Sequence, residues 1–286
     1  MSERRHSGCS GAWGYDASSC ESLPTTVRET GCYMVNTVCL TIPCLNEEQA
    51  LRSNLPRLLR HLRTMPATRW EVVVVDNGST DGTQEATREL RAQYGEVSLL
   101  VQPERGRGNA IRKAWRASQA GVLAYMDADM AVDLGQIATL VEPIVSGRAD
   151  IVYGNRFDAS STVVRSRMRE LLSRGYRRLA RWALGPEIQD FQCGFKAIRA
   201  AWLEPLLGKA RNGHWFFDTE LLVWGAALGL RVQGIPVAWT DRDETRVRFA
   251  PTIVSDLILL ARLRRALRAS RPPCRQVGES AANGQN

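Results

Sequence analysis

Lysine is nearly missing from this chain. Of 38 basic residues only Lys113, Lys196 and Lys209 are lysines, and the others are arginines. Arginine presents a planar fork that matches phosphate oxygens, although genomic base composition also inflates arginine. Histidine is limited to His6, His61 and His214, and the cysteines, at positions 9, 20, 32, 39, 44, 193 and 274, form no CxxC pair. Those absences exclude a zinc site and a disulfide framework by spacing, and they fit a reducing cytosol. No stretch approaches the ~18 apolar residues that a membrane span needs. The N-terminus lacks the apolar core of a signal peptide.

What is present is an ordinary globular composition, 44% apolar and 24% charged, in 286 residues, enough for a sizeable core. Residues 1–36 are rich in Ser, Gly and Cys without periodicity, which predicts a disordered leader. Met34 is a second candidate start. The +8 net charge lies downstream of residue 36, which suits an anionic substrate, a membrane surface or nucleic acid.

Strand and helix patterns alternate along the middle of the chain. Strands are predicted at Thr37–Ile42, Trp70–Val75, Val97–Val101, Val122–Met126 and Ile151–Tyr153. Helices are predicted at Glu48–Leu62, Asp81–Tyr94 (capped by Ser79 or Thr80), Asn109–Ala120 and Leu134–Val145. This alternation implies βαβ units and a parallel sheet, and the continuous apolar strands imply burial on both faces. Beyond residue 160 the order changes. Helices are expected at Ser166–Leu184, Arg199–Leu207, Asp218–Leu228 and Thr252–Arg268, with a strand at Arg231–Trp239. The expected organisation is a leader (1–36), an α/β domain (37–268) and a disordered tail (269–286).

In open α/β sheets, ligands sit beyond the carboxyl ends of the strands. Three polar clusters fall there: Pro43-Cys44-Leu45-Asn46-Glu47-Glu48, Asp76-Asn77-Gly78-Ser79-Thr80-Asp81-Gly82-Thr83, and Asp127-Ala128-Asp129. Carboxylates at i and i+2 of an extended segment point the same way and can share one hard cation. Taken alone, the Asp127/Asp129 pair also reads as a turn. Three such clusters at successive strand ends favour a site.

Together these clusters, with Gly106-Arg107-Gly108-Asn109-Ala110, resemble the family 2 glycosyltransferases of GT-A fold. The resemblance spans about Thr37 to Arg268. Asp190-Phe191-Gln192-Cys193-Gly194-Phe195-Lys196 resembles a signature of dolichyl-phosphate glucosyltransferases, and more loosely one of polyprenyl-phosphate mannosyltransferases. Trp215-Phe216-Phe217-Asp218-Thr219-Glu220-Leu221-Leu222 is similar to a further family segment. Thr245-Arg246 replaces the family's Ser-Lys, and Arg107 replaces a lysine. Ala131 stands where the mannosyltransferases carry a glutamine metal ligand, which tilts the sugar toward glucose.

The resemblance implies an inverting hexosyltransferase with a Rossmann-like, mostly parallel sheet. Its donor would be a nucleotide sugar, UDP-glucose first and GDP-mannose second. The nucleotide would sit at Pro43, Leu45, Asn46, Glu47, Asp76, Gly78 and Arg107. Asp127 and Asp129 would hold Mg²⁺ or Mn²⁺ across the diphosphate. Arg156 and Arg169 would act at the phosphates, and Asp190, Lys196, Thr245 and Arg246 would serve the acceptor, a polyprenyl phosphate or another phosphorylated molecule. A soluble acceptor is the alternative. A nucleic-acid-binding module is disfavoured, because three acidic clusters would repel phosphates without a metal. The arginine-laden helices at Ser166–Leu184 and Leu257–Arg268 suit an anionic membrane surface or simply a protein core. The expected location is the cytoplasm, with peripheral contact at the cytoplasmic membrane face.

Overall fold

A computed structural model describes residues 34–185, 187–241 and 249–270. A seven-stranded sheet has the order β3-β2-β1-β4-β7-β5-β8. Its strands are β1 (Met34–Cys44), β2 (Arg69–Asp76), β3 (Val97–Val101), β4 (Ala120–Met126), β5 (Ile151–Asn155), β7 (Phe195–Arg199) and β8 (Val232–Pro236). All neighbours pair in parallel except β7, which runs antiparallel to both β4 and β5. A small second sheet pairs β6 (Thr162–Val164) with β9 (Ala238–Thr240).

The helices are α1 (Glu48–Leu62), α2 (Thr83–Gln93), α3 (Arg107–Ala117), α4 (Ile137–Val145), α5 (Arg167–Leu184), α6 (Leu203–Lys209), α7 (Phe217–Ala227) and α8 (Phe249–Ala269). Successive strand residues point to opposite faces, so each strand feeds two cores. Val38, Leu40, Ile42, Val122 and Ala124 pack with α1 and α4 on one face. Cys39, Leu123 and Tyr125 pack with α3 and α5–α8 on the other. The apolar stripe of α1, Leu51, Leu55, Leu58, Leu59 and Leu62, is buried throughout, at about 1.5–3 kcal/mol per side chain. Opposite it, the buried Trp115 ring lies 5.9 Å from Tyr125 and 6.2 Å from Phe217.

Three differences from the sequence reading have local causes. Helix α2 begins at Thr83 with Gly82 as its N-cap. Ser79 and Thr80 are occupied elsewhere: Ser79 Oγ accepts from Asn46 N at 2.9 Å, and Thr80 N donates to Asn46 Oδ1 at 2.7 Å. Helix α3 stops at Ala117, because Ser118 is extended and its Oγ accepts from Ala120 N to start β4. Strand β7 covers the end of the Asp190–Lys196 motif and extends to Arg199, the expected start of a helix; that helix starts only at Leu203, and β7 makes the sheet mixed.

The topology gathers the functional segments. Parallel strands β1, β2, β4, β5 and β8 end at one edge, and antiparallel β7 begins there. On one side of β1 the pairing with β2 runs to Cys44–Asp76, and on the other the pairing with β4 ends at Thr41–Tyr125. Pro43 has no N–H to donate to a ladder. The strands therefore separate beside Asp127, where the strand order reverses direction. Such a reversal is where open α/β sheets bind ligands.

Candidate functional site

The loops after β1 and β2 are fastened into one wall. Glu47 N donates to Thr83 Oγ1 at 2.9 Å, Gly82 N to Glu48 Oε2 at 3.1 Å, and Asn77 N to Cys44 O at 2.8 Å. Asn46 adopts φ 58 to make its paired contacts. Gly78 has φ +78, and a Cβ there would lie 3.1 Å from Pro103 O. Asp76 is fully buried, with Oδ1 accepting from Ser79 N at 3.2 Å and Oδ2 from Gln84 Nε2 at 2.8 Å. Its carboxylate, expected against the nucleotide, is instead buried and engaged in building the turn. Pro43, Leu45, Asn46 and Glu47 are partly exposed along this wall.

Asp127 and Asp129 follow β4 on a tight turn in which Met130 takes φ 48. The turn is held from three sides. Asn54 Nδ2 donates to Ala128 O at 3.1 Å, Ala131 N donates to Asp129 Oδ1 at 3.2 Å, and Thr240 N donates to Ala131 O at 2.7 Å. Beneath Asp127 lies a buried charge network. Arg107 donates to Asp127 Oδ1 through Nη2 (2.7 Å) and Nε (3.0 Å), and its Nη1 pairs with Asp218. Tyr125 OH also donates to Asp218, and Lys196 Nζ donates to Asp218 Oδ1 at 3.0 Å and to Cys193 O at 2.6 Å. Arg107 lies 4.9 Å from each of the Tyr125 and Trp215 ring centres. Burial disfavours its charge, but Asp127 and Asp218 hold it above the usual arginine value. Burial pushes Asp218 up to about 6, against the pull of Arg107, and pushes Lys196 down to about 7.

Two expected contact residues thus take different places. Arg107, expected against the nucleotide, lies under the acidic pair and neutralises part of its charge. Lys196, expected at the acceptor, has 0% exposure and donates to Asp218 and to backbone carbonyls. Asp190 is likewise buried, and Arg156 grips it with Nε–Oδ2 at 2.7 Å and Nη2–Oδ1 at 2.9 Å. Arg156 also lies 5.1 Å from the Trp239 ring centre. Arg169 pairs with Asp241 at 2.9 Å, and Asp241 also accepts from Trp239 Nε1 at 2.6 Å. Thr245 and Arg246 lie outside the described residues. His214 is exposed on the loop before α7.

Behind Arg156 opens a cleft of about 730 Å³ between the loop after β5, strand β6 and α5. Arg156, Arg165, Arg167, Arg174 and Arg177 line it, against the acids Asp158 and Glu170. Glu170 bridges Arg165 and Arg174. Phe157 lies between Arg165 and Arg177, at 5.5 and 4.7 Å. Arg165 and Arg177 carry no local signal, because Arg165 lies between β6 and α5 and Arg177 looks like one more arginine on a helix face. No local pattern gives Asp218 a role, since its partner Arg107 is 111 residues away.

Residues 39–207 match the family described as Glycosyl transferase family 2. The chain belongs to that family. It is 34% identical over 212 residues to "Glycosyltransferase AglD" of Haloferax volcanii, an alignment covering 73% of this chain and 34% of the relative. The chain therefore spans about a third of that relative's length. It is 29% identical over 233 residues to "Dolichyl-phosphate beta-glucosyltransferase ALG5A" of Trichomonas vaginalis, covering 78% of this chain and 72% of that one. Among solved structures it resembles glucosyl-3-phosphoglycerate synthase of Mycobacterium tuberculosis bound to UDP, with TM-score 0.55, 19% identity, and coverage of 83% and 82%. A structure of that synthase with Mn²⁺, UDP and glucosyl-3-phosphoglycerate matches with TM-score 0.53, 20% identity, and coverage of 82% and 79%. These likenesses establish the GT-A fold.

In this family 2 glycosyltransferase the donor set fits a hard divalent ion bound together with its substrate. No group of three or more His, Cys, Asp or Glu gathers into a metal site among the described residues. Mg²⁺ commonly takes one or two carboxylates and completes its shell with phosphates and water. The Asp127 side chain keeps 28% exposure while Arg107 holds one of its oxygens.

Gly194 is required by close approach. A Cβ there would lie 1.8 Å from Asp127 Oδ2 and 3.0 Å from Arg107 Nη2. Gly194→Ala should displace the carboxylate and lower turnover by about 10²-fold, as misplacement of about 1 Å does. Steady-state kinetics beside a thermal melt checks this. Unchanged kcat would show that Asp127 tolerates the shift.

Proposed function

We propose that this glycosyltransferase transfers a hexose, glucose by preference, from a nucleotide sugar to a lipid-borne phosphate such as a polyprenyl phosphate. The observation that carries the reading is the arginine-lined cleft behind Arg156, which follows β5 at the same end of the sheet as the acidic pair that follows β4. The relative named as a dolichyl-phosphate beta-glucosyltransferase supports it.

The wall of β1 and β2 loops would seat the nucleoside, with Pro43 and Leu45 against the base and Glu47 at its rim. Asp127 and Asp129 would hold Mg²⁺ or Mn²⁺. The ion, when bound, supplies Lewis-acid stabilisation of charge on the departing nucleoside diphosphate. Arg107 keeps Asp127 aimed and limits charge repulsion between the acidic pair and the diphosphate. The cleft arginines would hold the acceptor phosphate. One of its oxygens attacks C1 of the sugar, and the C1–O bond to the diphosphate breaks with its electron pair leaving on that oxygen. Configuration at C1 inverts. A phosphate monoester has a second pKa of ~6, so it arrives as an anion and no general base is needed.

Radiolabelled donors, UDP-glucose and GDP-mannose, tested with polyprenyl phosphate, decide the matter. Label extracted into organic solvent from UDP-glucose is expected. Transfer only to a water-soluble acceptor would overturn the lipid reading and leave the donor chemistry standing.

A further inference from the structure

Helix α5 leaves one side uncovered. Tyr176, Leu179, Ala180, Ala183 and Leu184 turn inward to the core. The opposite arc carries Met168 (64% exposed), Leu171 (68%) and Trp182 (73%), spaced so that they share a stripe. Val164 of β6, just before the helix, is 59% exposed. Arg167, Arg174 and Arg178 stand exposed on the same arc. The neighbouring α8 packs on α5, with Arg264 4.9 Å from the Trp182 ring centre. Its own outer face exposes Leu257 and Ile258 beside Arg262, Arg265 and Arg268. Large apolar side chains this exposed, gathered in one patch, mark an interaction surface.

We infer that the outer face of α5 and α8 docks on the surface of a bilayer containing anionic phospholipid. Charge complementarity selects this occupant. The α5 sequence holds six arginines and one acid, Glu170, and Glu170 is already bridged to Arg165 and Arg174. Helices that lie in a membrane interface pair an apolar stripe with basic residues in this way. An exposed indole such as Trp182 favours the boundary between headgroups and acyl chains. No helix among the described residues is long and apolar enough to cross a membrane. The arginine-lined cleft opens on the same arc, sharing Arg167, Leu171 and Arg174 with it. A bilayer on this face would place headgroups at the cleft mouth. The inference does not depend on the acceptor, because it concerns the surface and not the cleft's occupant.

The test is flotation or sedimentation of the full chain with vesicles of phosphatidylcholine alone and of phosphatidylcholine with phosphatidylglycerol, neither containing polyprenyl phosphate. Binding to the anionic vesicles only, weakened by salt, is expected. Arg178→Ala should weaken it about fivefold, the effect of one surface arginine. Met168→Glu combined with Trp182→Ser should weaken it further, with an unchanged melting temperature. Equal binding to both vesicle types, or wild-type binding by these variants, would overturn the inference. So would light scattering that shows a dimer which Met168→Glu dissolves, since the face would then join two copies. Vesicle binding that persists in a preparation lacking transfer to polyprenyl phosphate would count against the proposed acceptor and leave the docking face standing.

Discussion

Asp127→Asn and Asp129→Asn should each lower turnover by about 10³-fold in a protein that remains folded. The estimate rests on Lewis-acid stabilisation worth several kcal/mol, with each ~1.4 kcal/mol giving a factor of ten. The two variants should differ in stability. Asp127 accepts two hydrogen bonds from buried Arg107, so its amide leaves the guanidinium with Asp218 as its remaining carboxylate partner. Asp129 Oδ1 accepts from Ala131 N, a role that an amide oxygen also fills. Asp129→Asn should therefore melt close to wild type, and Asp127→Asn should melt lower. Initial rates with saturating Mn²⁺ or Mg²⁺, paired with thermal melts, check both parts. Turnover within tenfold of wild type in both variants would refute the metal role of the pair.

Asp190→Asn should produce the largest loss of stability. Asp190 and Arg156 form a bidentate pair whose side chains are 2% and 12% exposed. Removing one partner of a buried pair leaves the other charge uncompensated, at about 3–5 kcal/mol. For a chain of this size that lowers the melting temperature by roughly 6–20 °C. The pH dependence has a definite sign. Burial would raise the Asp190 pKa, but Arg156 overrides it and holds the carboxyl below its ordinary 3.8. A depressed carboxyl pKa contributes stability that is present above the unfolded value and lost as pH falls through the folded one. The gap between wild type and Asp190→Asn should be full near neutrality and narrow below about pH 4, measured by denaturant unfolding across pH. A gap that stays constant into acid would show that the pair adds nothing as an ion pair.

The donor half of the fold was legible because its signals are local. The five leucines at helical spacing give α1 its observed ends, and Val97, Leu99, Leu100 and Val101 around Ser98 give β3. Asp127 and Asp129 stood out as carboxylates at the end of an apolar strand. The acceptor half was less legible because its contacts are long-range. Strand β7 reads Phe195-Lys196-Ala197-Ile198-Arg199, and a lysine in mid-strand argues against burial. Lys196 is nevertheless fully buried because Asp218, Cys193 O and Phe191 O receive its ammonium. Which arginines line the cleft depends on the rotation of α5 against β6. The motif residues Arg156 and Asp190 were assigned separate roles, and the fold joins them in one pair.

The antiparallel insertion of β7 has a consequence for how such a protein diversifies. Strands β5 and β7 are hydrogen-bonded neighbours of opposite direction, so the chain leaves the sheet after Asn155 and re-enters it at Phe195 along the same edge. Residues 156–194, which carry β6, α5 and all five cleft arginines, are topologically one long loop. The Arg156–Asp190 pair closes that loop near both of its ends. An excursion that begins and ends at one place can be lengthened, shortened or exchanged without rethreading the strands that carry Asp76 and Asp127. The cleft's chemistry can then change by replacing a single segment while the strands that lead to the acidic pair are kept.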